Sequence, residues 1–393
     1  MISIKEKENI SREKRILQAS IDSALHQGKS ISLWKTPGVN QKNLIISHTV
    51  KEVAEFVLEE GESGFAFASF LPDSKKYIFP ADIYFQFENG VQVKGPQQDA
   101  SNGSEIPLES PGRKLVFHHH PSPKNPVDQD FIQLVNLGLQ EISAGHMEKV
   151  VPSRIIDITI SEPFDLLKAF DELCEKHPQA LVSLVSSPET GTWLGATPEL
   201  LVSVDPNNLF KTIALAGTQS YTSEVDLKSV AWTQKEIEEQ AMVCRYIINC
   251  FKKIRLREYE EHGPRTMVAG NVMHLKTVYE VDMTATNFPQ LGSVMLKLLH
   301  PTSAVCGMPF DRAQEFLKKN EGYDREFYSG YLGPVQINNT SLIYVNLRCM
   351  QVFKNQIRLY AGAGITIDSI AEKEFEETEI KMQNLLHLVS KND

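Results

Sequence analysis

The sequence predicts an α+β fold, a large single domain in which mainly antiparallel sheets pack with helices. Short β-rich runs separated by turn residues recur along the chain, helical segments fall in groups between them, and no repeat of solenoid length is present. At 393 residues the chain can bury a large core, and 41% hydrophobic with 23% charged residues is the balance of an ordinary globular protein.

Residues 1–30 read as a polar helical lead. From Ile31 to about Val116 the runs SLWKTP, NLIISH, GFAFASF and ADIYFQF alternate with turn residues, so residues 1–130 form a β-rich portion. Within it, GPQQDASNGSEIPLESPGRK and HHHPSPKNPVDQD are loops by composition. His118, His119 and His120 invite a metal reading, but three successive side chains do not converge easily on one ion, and a loop cluster suffices. In residues 131–393, FIQLVNLGLQEISAG is an amphipathic helix and KVVPSRIIDITI a strand. A helix around Pro163–His177, strands LVSLVSS, GTWLGA and ELLVSV, and a long helix from about Lys228 to Arg257 follow. Helices near Gly292–Leu299 and Asp311–Lys319 then precede strands YLGPVQI, SLIYVNLRCMQV and QIRLYAGAGI and a final helix.

A net charge of −10 without a local cluster of lysine and arginine argues against nucleic acid as a partner. An anionic small molecule would need locally placed cations or a metal. The start MISIKEKENISREKRIL has no apolar stretch of signal-peptide type, and no apolar run reaches membrane-spanning length. Five scattered cysteines without a CxxC read as buried thiols, which places the expected location in the cytoplasm.

Two helices carry the first candidate site. In KEFEETEIKMQNLL, Phe375, Thr378, Met382 and Leu385 share one face, and Glu374, Glu377 and Lys381 run about 100° around the axis, at its border. In KEIEEQAMVCRYI, the apolar line reads Ile237, Ala241, Cys244 and Ile248, with Glu236 and Glu239 beside it. Packed together, such helices would converge carboxylates that repel unless a cation joins them, and oxygen-only donors suit Mg²⁺. Two solvated faces would give the same periodicity, which leaves both readings open.

Lys149 opens the apolar strand of EKVVPSR, where a lysine either protects a sheet edge or acts as a base. Glu199, between a Thr-Pro turn and an apolar strand in GATPELLVSV, either caps backbone amides or, if desolvated, serves as an acid. ALAGT and AGAGI bring backbone close to something small, or simply make tight turns.

Taken in order, KVVPSR, GATPELL, ALAGT, KEIEEQ, HLKT, HPTSAVCGMP, DREFYSGYLG, YVNLRC, YAGAGI and EFEETEIK resemble the chorismate-utilising enzymes, and within them the isochorismate synthase branch. The resemblance covers roughly residues 130–390, making 131–393 the chorismate-binding catalytic portion, and is loose in the N-terminal third. It implies that Lys149 is the general base and Glu199 the general acid. It makes Glu239 and Glu377 the Mg²⁺-binding carboxylates, with Glu236 and Glu374 one turn earlier as supporting ligands or water holders. Tyr328 and Arg348 match residues that hold the enolpyruvyl carboxylate, and Gly217, His274, Gly364 and Lys381 match the substrate pocket. Gln240 departs from the histidine common after the metal-binding glutamate.

The implied reaction is a reversible isomerisation of chorismate, with water adding at C2 and the C4 hydroxyl leaving, in support of menaquinone or siderophore biosynthesis. Anthranilate-forming relatives lack a lysine at the position of Lys149, and aminodeoxychorismate-forming ones carry a lysine where this chain has Ala216. Salicylate synthases keep the Lys/Glu pair and then expel pyruvate, which makes them the nearest rival. A metal-stabilised binding protein without turnover is the non-enzymatic alternative. The resemblance implies a monomer with no glutamine amidotransferase subunit and no membrane partner.

Overall fold

A computed structural model describes residues 4–95, 116–123, 130–160, 164–227, 229–269 and 272–389. Most of the first composition-defined loop and the end of the second lie outside the described residues. Two nine-stranded antiparallel sheets dominate. The first runs Val91–Lys94, Ile83–Glu88, Gln41–Ser47, Ser30–Lys35, Leu181–Ser187, Gly191–Thr197, Cys349–Val352, Gln356–Gly362, Ser153–Thr159. The second runs Glu260–Ala269, Val272–Asp282, Leu209–Ser220, Leu200–Val204, Ser341–Val345, Tyr331–Val335, Gly64–Ala68, Lys76–Pro80, Lys51–Glu52. Strands from both ends of the chain share each sheet: Ser30–Lys35 pairs with Leu181–Ser187, and Gly64–Ala68 with Tyr331–Val335.

Alternating side chains explain the layering. Ile31, Leu33, Leu44 and Ile46 face a core shared with Leu17, Ile21 and Leu25 of the helix Ile4–His26 and with Phe170 and Leu173 of the helix Leu166–Lys176. The intervening Trp34 and Ile45 face the other way, into an aromatic core shared with Phe65, Phe67 and Phe79 of the second sheet. Ala66, Ala68, Val202, Val204 and Phe210 point outward from that sheet onto helices Phe131–Ser143, Gln234–Lys253, Leu291–Leu299 and Phe310–Asn320. The result is helix, sheet, sheet, helix, and strands buried on both faces read as continuous apolar runs.

Several expectations need correction. SLIYVNLRCMQV is two strands, Ser341–Val345 and Cys349–Val352, which lie in different sheets. KVVPSRIIDITI is likewise broken at Val151–Pro152, and its first part, Lys149–Val150, pairs with Gly307–Met308 in a small ribbon. ALAGT makes no turn: it lies in the strand Leu209–Ser220, with the register shift between Ala216 and Gln219 and Gly217 at φ +67°. That strand, Glu260–Ala269 and Val272–Asp282 had no counterpart in the sequence reading.

The helix Gln234–Lys253 starts at a Thr233/Glu236 capping box and buries Gln240, Val243, Ile247, Cys250 and Phe251. Ile237 is 48% exposed, so its predicted apolar line is displaced. Gln240 tolerates burial because its amide donates to Thr277 Oγ1 at 3.0 Å and to the Ala214 carbonyl at 3.3 Å. On the helix Ala371–Val389, Thr378, Met382 and Leu385 of the predicted face are buried and Phe375 is half-buried against the helix-side core, while Glu374, predicted at the border, is buried as well.

The five cysteines are unpaired, four of them buried. No described helix is long and apolar enough to cross a membrane.

Candidate active site

Glu199 and Arg348 reach the site by the same device. Gly191–Thr197 lies in the first sheet and Leu200–Val204 in the second, so Glu199 sits on the crossing between them. The chain returns from second sheet to first between Val345 and Cys349, a crossing that carries Arg348. The two crossings are hydrogen-bonded side by side. Ala196 N donates to Arg348 O at 3.1 Å, Val345 N to Glu199 O at 2.9 Å, and Thr197 Oγ1 to Val345 O at 2.7 Å. Arg348 takes φ +48°, a left-handed conformation that costs a non-glycine residue roughly 1–3 kcal/mol and points to a functional constraint.

Lys149 comes from the ribbon beside them. Val150 exchanges backbone hydrogen bonds with Ile365 at 3.1 and 2.8 Å, which places Lys149 against Gly364. A Cβ on Gly364 would stand 2.8 Å from Glu239 Oε1 and 3.0 Å from Lys149 Cε, so the position needs a residue without a side chain. Gly217 donates its N–H to Glu239 Oε2 at 3.3 Å and accepts from His274 Nδ1 at 2.8 Å. Arg348 Nη2 donates to His274 Nε2 at 2.7 Å, which sets the tautomer with the proton on Nδ1.

Glu199, Gly217, Glu239, His274, Tyr328, Arg348, Gly364, Glu377 and Lys381 line one cavity. Lys149 is outside the lining and wholly buried, and it reaches the site by donating to the lining residue Glu239 at Oε1, 2.8 Å away. Glu236 and Glu374 are outside the lining. Glu236 accepts from Thr233 N at 2.7 Å and Gln219 Nε2 at 2.8 Å, and Glu374 is paired with Lys235.

The family model described as "Chorismate binding enzyme" matches residues 97–390. The chain belongs to the chorismate-binding enzymes. It is 30% identical over 286 residues to isochorismate synthase DhbC of Bacillus subtilis (strain 168), covering 69% of each chain. It is 27% identical over 268 residues to the vibriobactin-specific isochorismate synthase of Vibrio cholerae serotype O1, covering 67% of each. Among solved structures, MenF, the menaquinone-specific isochorismate synthase from Escherichia coli, superposes with a TM-score of 0.72 at 21% identity, over 94% of this chain and 90% of that one.

Electrostatics separate the carboxylates of this chorismate-binding enzyme. Burial pushes Glu199 up to about 7, against the opposing pull of Lys149, Lys381 and Arg348. Burial also works against ionisation of Glu239, but Lys149, with Lys381 and Lys235, overcomes it and holds the carboxyl at about 2. Burial, then the charge of Arg348, lowers His274 to about 3, so it is a neutral acceptor. Glu377 pairs with Lys381 at 2.7 Å.

The donor set suits a hard cation: Glu239 and Glu377 offer only oxygens to a cavity also lined by cationic side chains able to receive an anion. Among the described residues, three acidic or imidazole donors come within 4.8 Å of one another only at Glu260, His262 and Glu280, none of which lines the cavity. There Glu280 is already paired with Lys211 at 2.8 Å. The triple histidine forms no centre, since His118, His119 and His120 each bond a different carbonyl, those of Lys29, Val352 and Pro188.

Sequence reasoning missed Tyr360, which lines the cavity and stacks on Tyr328 at 4.9 Å. It also missed Val151 and Val305, whose apolar surroundings gave no chemical signal.

Proposed function

We propose that this chorismate-binding enzyme is an isochorismate synthase, an isomerase that interconverts chorismate and isochorismate with Mg²⁺. The observation that carries the reading is Glu199, a carboxyl raised to about 7 by burial, in one cavity with Arg348 and beside buried Lys149. Two groups of opposite duty at one ring make an acid–base pair.

Glu199, raised to about 7, keeps its proton in a substantial fraction of molecules near neutral pH and donates it to the C4 hydroxyl, which leaves as water. Lys149 takes the proton from the water that attacks C2, so one water enters and one departs while the ring double bonds shift. Lys149 is paired with the Glu239 carboxylate as an ammonium, and it serves as base once it has released that proton and turned from the carboxylate toward C2. Arg348, with His274 as a neutral acceptor behind it, presents its fork to the enolpyruvyl carboxylate, and Tyr328 stands beside it. Mg²⁺, held by Glu239 and Glu377, would supply positive charge to the ring carboxylate as a Lewis acid. Glu236 and Glu374, one turn earlier on the same helices, would serve as supporting ligands or hold water for the ion.

Residues 1–130 and 131–393 are proposed to act as one unit, supported by their shared sheets. We further propose a cytoplasmic monomer working without an amidotransferase subunit; Ala216 at the cavity wall supports hydroxyl rather than amine chemistry. Both menaquinone and siderophore supply are compatible with the relatives.

Chromatography of chorismate incubated with the protein and Mg²⁺ tests the reading. Isochorismate, formed reversibly without ammonia, is expected, and Glu199→Gln should lower the rate by about 10²–10⁴. Stoichiometric salicylate with pyruvate would move the assignment to salicylate synthase, and anthranilate formed only with ammonia would overturn it.

A further inference from the structure

We propose that Arg325, held by Glu321, is a positioning residue that sets Lys149 and Tyr328 through the backbone they share with it; the activity readout rests on the isochorismate synthase reading. Neither residue lines the cavity, and each is only 3% exposed. Arg325 forks onto Glu321, Nε to Oε2 at 2.7 Å and Nη2 to Oε1 at 2.6 Å. Its remaining donors reach two wall segments: Nη2 meets the Val151 carbonyl at 2.7 Å, and Nη1 the Val305 carbonyl at 2.9 Å. Glu321 Oε1 accepts from Ser153 N at 2.6 Å and from Ser153 Oγ at 2.7 Å, and Ser153 Oγ also meets the Tyr323 hydroxyl at 2.6 Å.

These bonds converge on the break at Val151–Pro152, where the chain passes from the Lys149 ribbon into the first sheet. Val151 N in turn donates to Cys306 O at 2.9 Å, so the Lys149 segment and the 305–306 segment are clamped from both sides. The turn that carries Arg325 also carries Tyr328, whose N–H donates to the Arg325 carbonyl at 2.9 Å. The guanidinium lies over the Phe70 ring at 4.4 Å, which fixes its plane. Buried ion pairs add little net stability over an apolar replacement, whereas a planar fork that also reaches two carbonyls constrains geometry. A lysine cannot reproduce four directed donors on one plane.

The test compares full-length wild type with Arg325→Lys and Ser153→Ala. Both should lower kcat for chorismate by about 10–100-fold, the range of outer hydrogen-bond partners. KM should rise by a smaller factor than kcat falls, because Tyr328 shares the turn with Arg325 while Arg348 and His274 are untouched. Amide exchange should quicken at Val150 and Val151 but not in the Ser30–Lys35 strand. Folded variants with wild-type kcat, KM and pH profile would overturn the proposal, whatever their melting temperature. Should Arg325→Lys fail to fold, Ser153→Ala, which removes one hydroxyl, decides by the same criteria. If wild type forms no isochorismate, the functional reading fails by itself. The exchange comparison then decides positioning, and unchanged protection at Val150 and Val151 would overturn it.

Discussion

The helices Gln234–Lys253 and Ala371–Val389 each bring a glutamate to the cavity, yet they are built on different terms. The C-terminal helix buries Thr378, Met382 and Leu385 as its sequence advertises, together with Glu374, which is paired with Lys235. Its Glu377 pairs with Lys381, whose side chain is 25% exposed. The earlier helix buries Gln240 and leaves Ile237 in solvent, and its Glu239 pairs with Lys149, which has no exposure at all. Helical periodicity locates a face when that face is apolar. Where a buried amide has its own hydrogen-bond partners, hydrophobicity points to the wrong stripe.

The largest effects should come from the carboxylates themselves. Glu239→Ala and Glu377→Ala should each reduce turnover assayed with added Mg²⁺ by more than about 100-fold, and Glu236→Gln and Glu374→Gln by about 10–100-fold, as outer partners do. Calorimetric titration with Mg²⁺ alongside the kinetics checks this. Equal losses for inner and outer glutamates would erase the distinction that the cavity draws.

Stability should separate the two helices. Glu239→Ala strands a buried ammonium and should cost about 3–5 kcal/mol. Glu377→Ala leaves Lys381 partly solvated and should cost at most about 1 kcal/mol. Denaturant titration without Mg²⁺ reads both, and equal costs would mean that the Lys149 pair is no more desolvated than the other.

Glu199 and Glu239 give opposite pH dependences. Glu199, raised from 4.5 to about 7, keeps its proton in the folded state after the unfolded chain has released it. Stability therefore falls as pH rises between those values, by about 3 kcal/mol. Glu239, lowered from 4.5 to about 2, contributes stability above 4.5 that is lost as pH falls toward 2. Melting curves across pH should lose the first slope in Glu199→Gln and keep the second.

The smallest effect sharpens the comparison most directly. Ile237→Ser should change stability by no more than about 0.5 kcal/mol, while Ile247→Ala should cost about 2–5 kcal/mol. A large cost at Ile237 would restore the face read from the sequence.

How far the sequence could be read follows local chemistry. The two-faced strands were legible because both faces are buried, and Glu199 stood out because Pro198 ends a strand beside it. Arg348 was found only by resemblance, since nothing in SLIYVNLRCMQV marks a change of sheet and the left-handed residue there is an arginine rather than a glycine. Glu260–Ala269 was missed because an edge strand of the second sheet can be polar along its length. Arg325 went unnoticed because a charged residue is expected at the surface, and only a structure reveals its four buried acceptors.

The paired crossings that carry Glu199 and Arg348 have a consequence for how this site can change. Each residue is covalently tied to both sheets within a few positions, and the two are laced together by backbone hydrogen bonds. Their spacing is thus a property of the mesh, and altering it would mean sliding one nine-stranded sheet over the other through an aromatic core. New chemistry at such an address comes from exchanging one side chain for another, because the scaffold cannot move to meet a different substrate halfway.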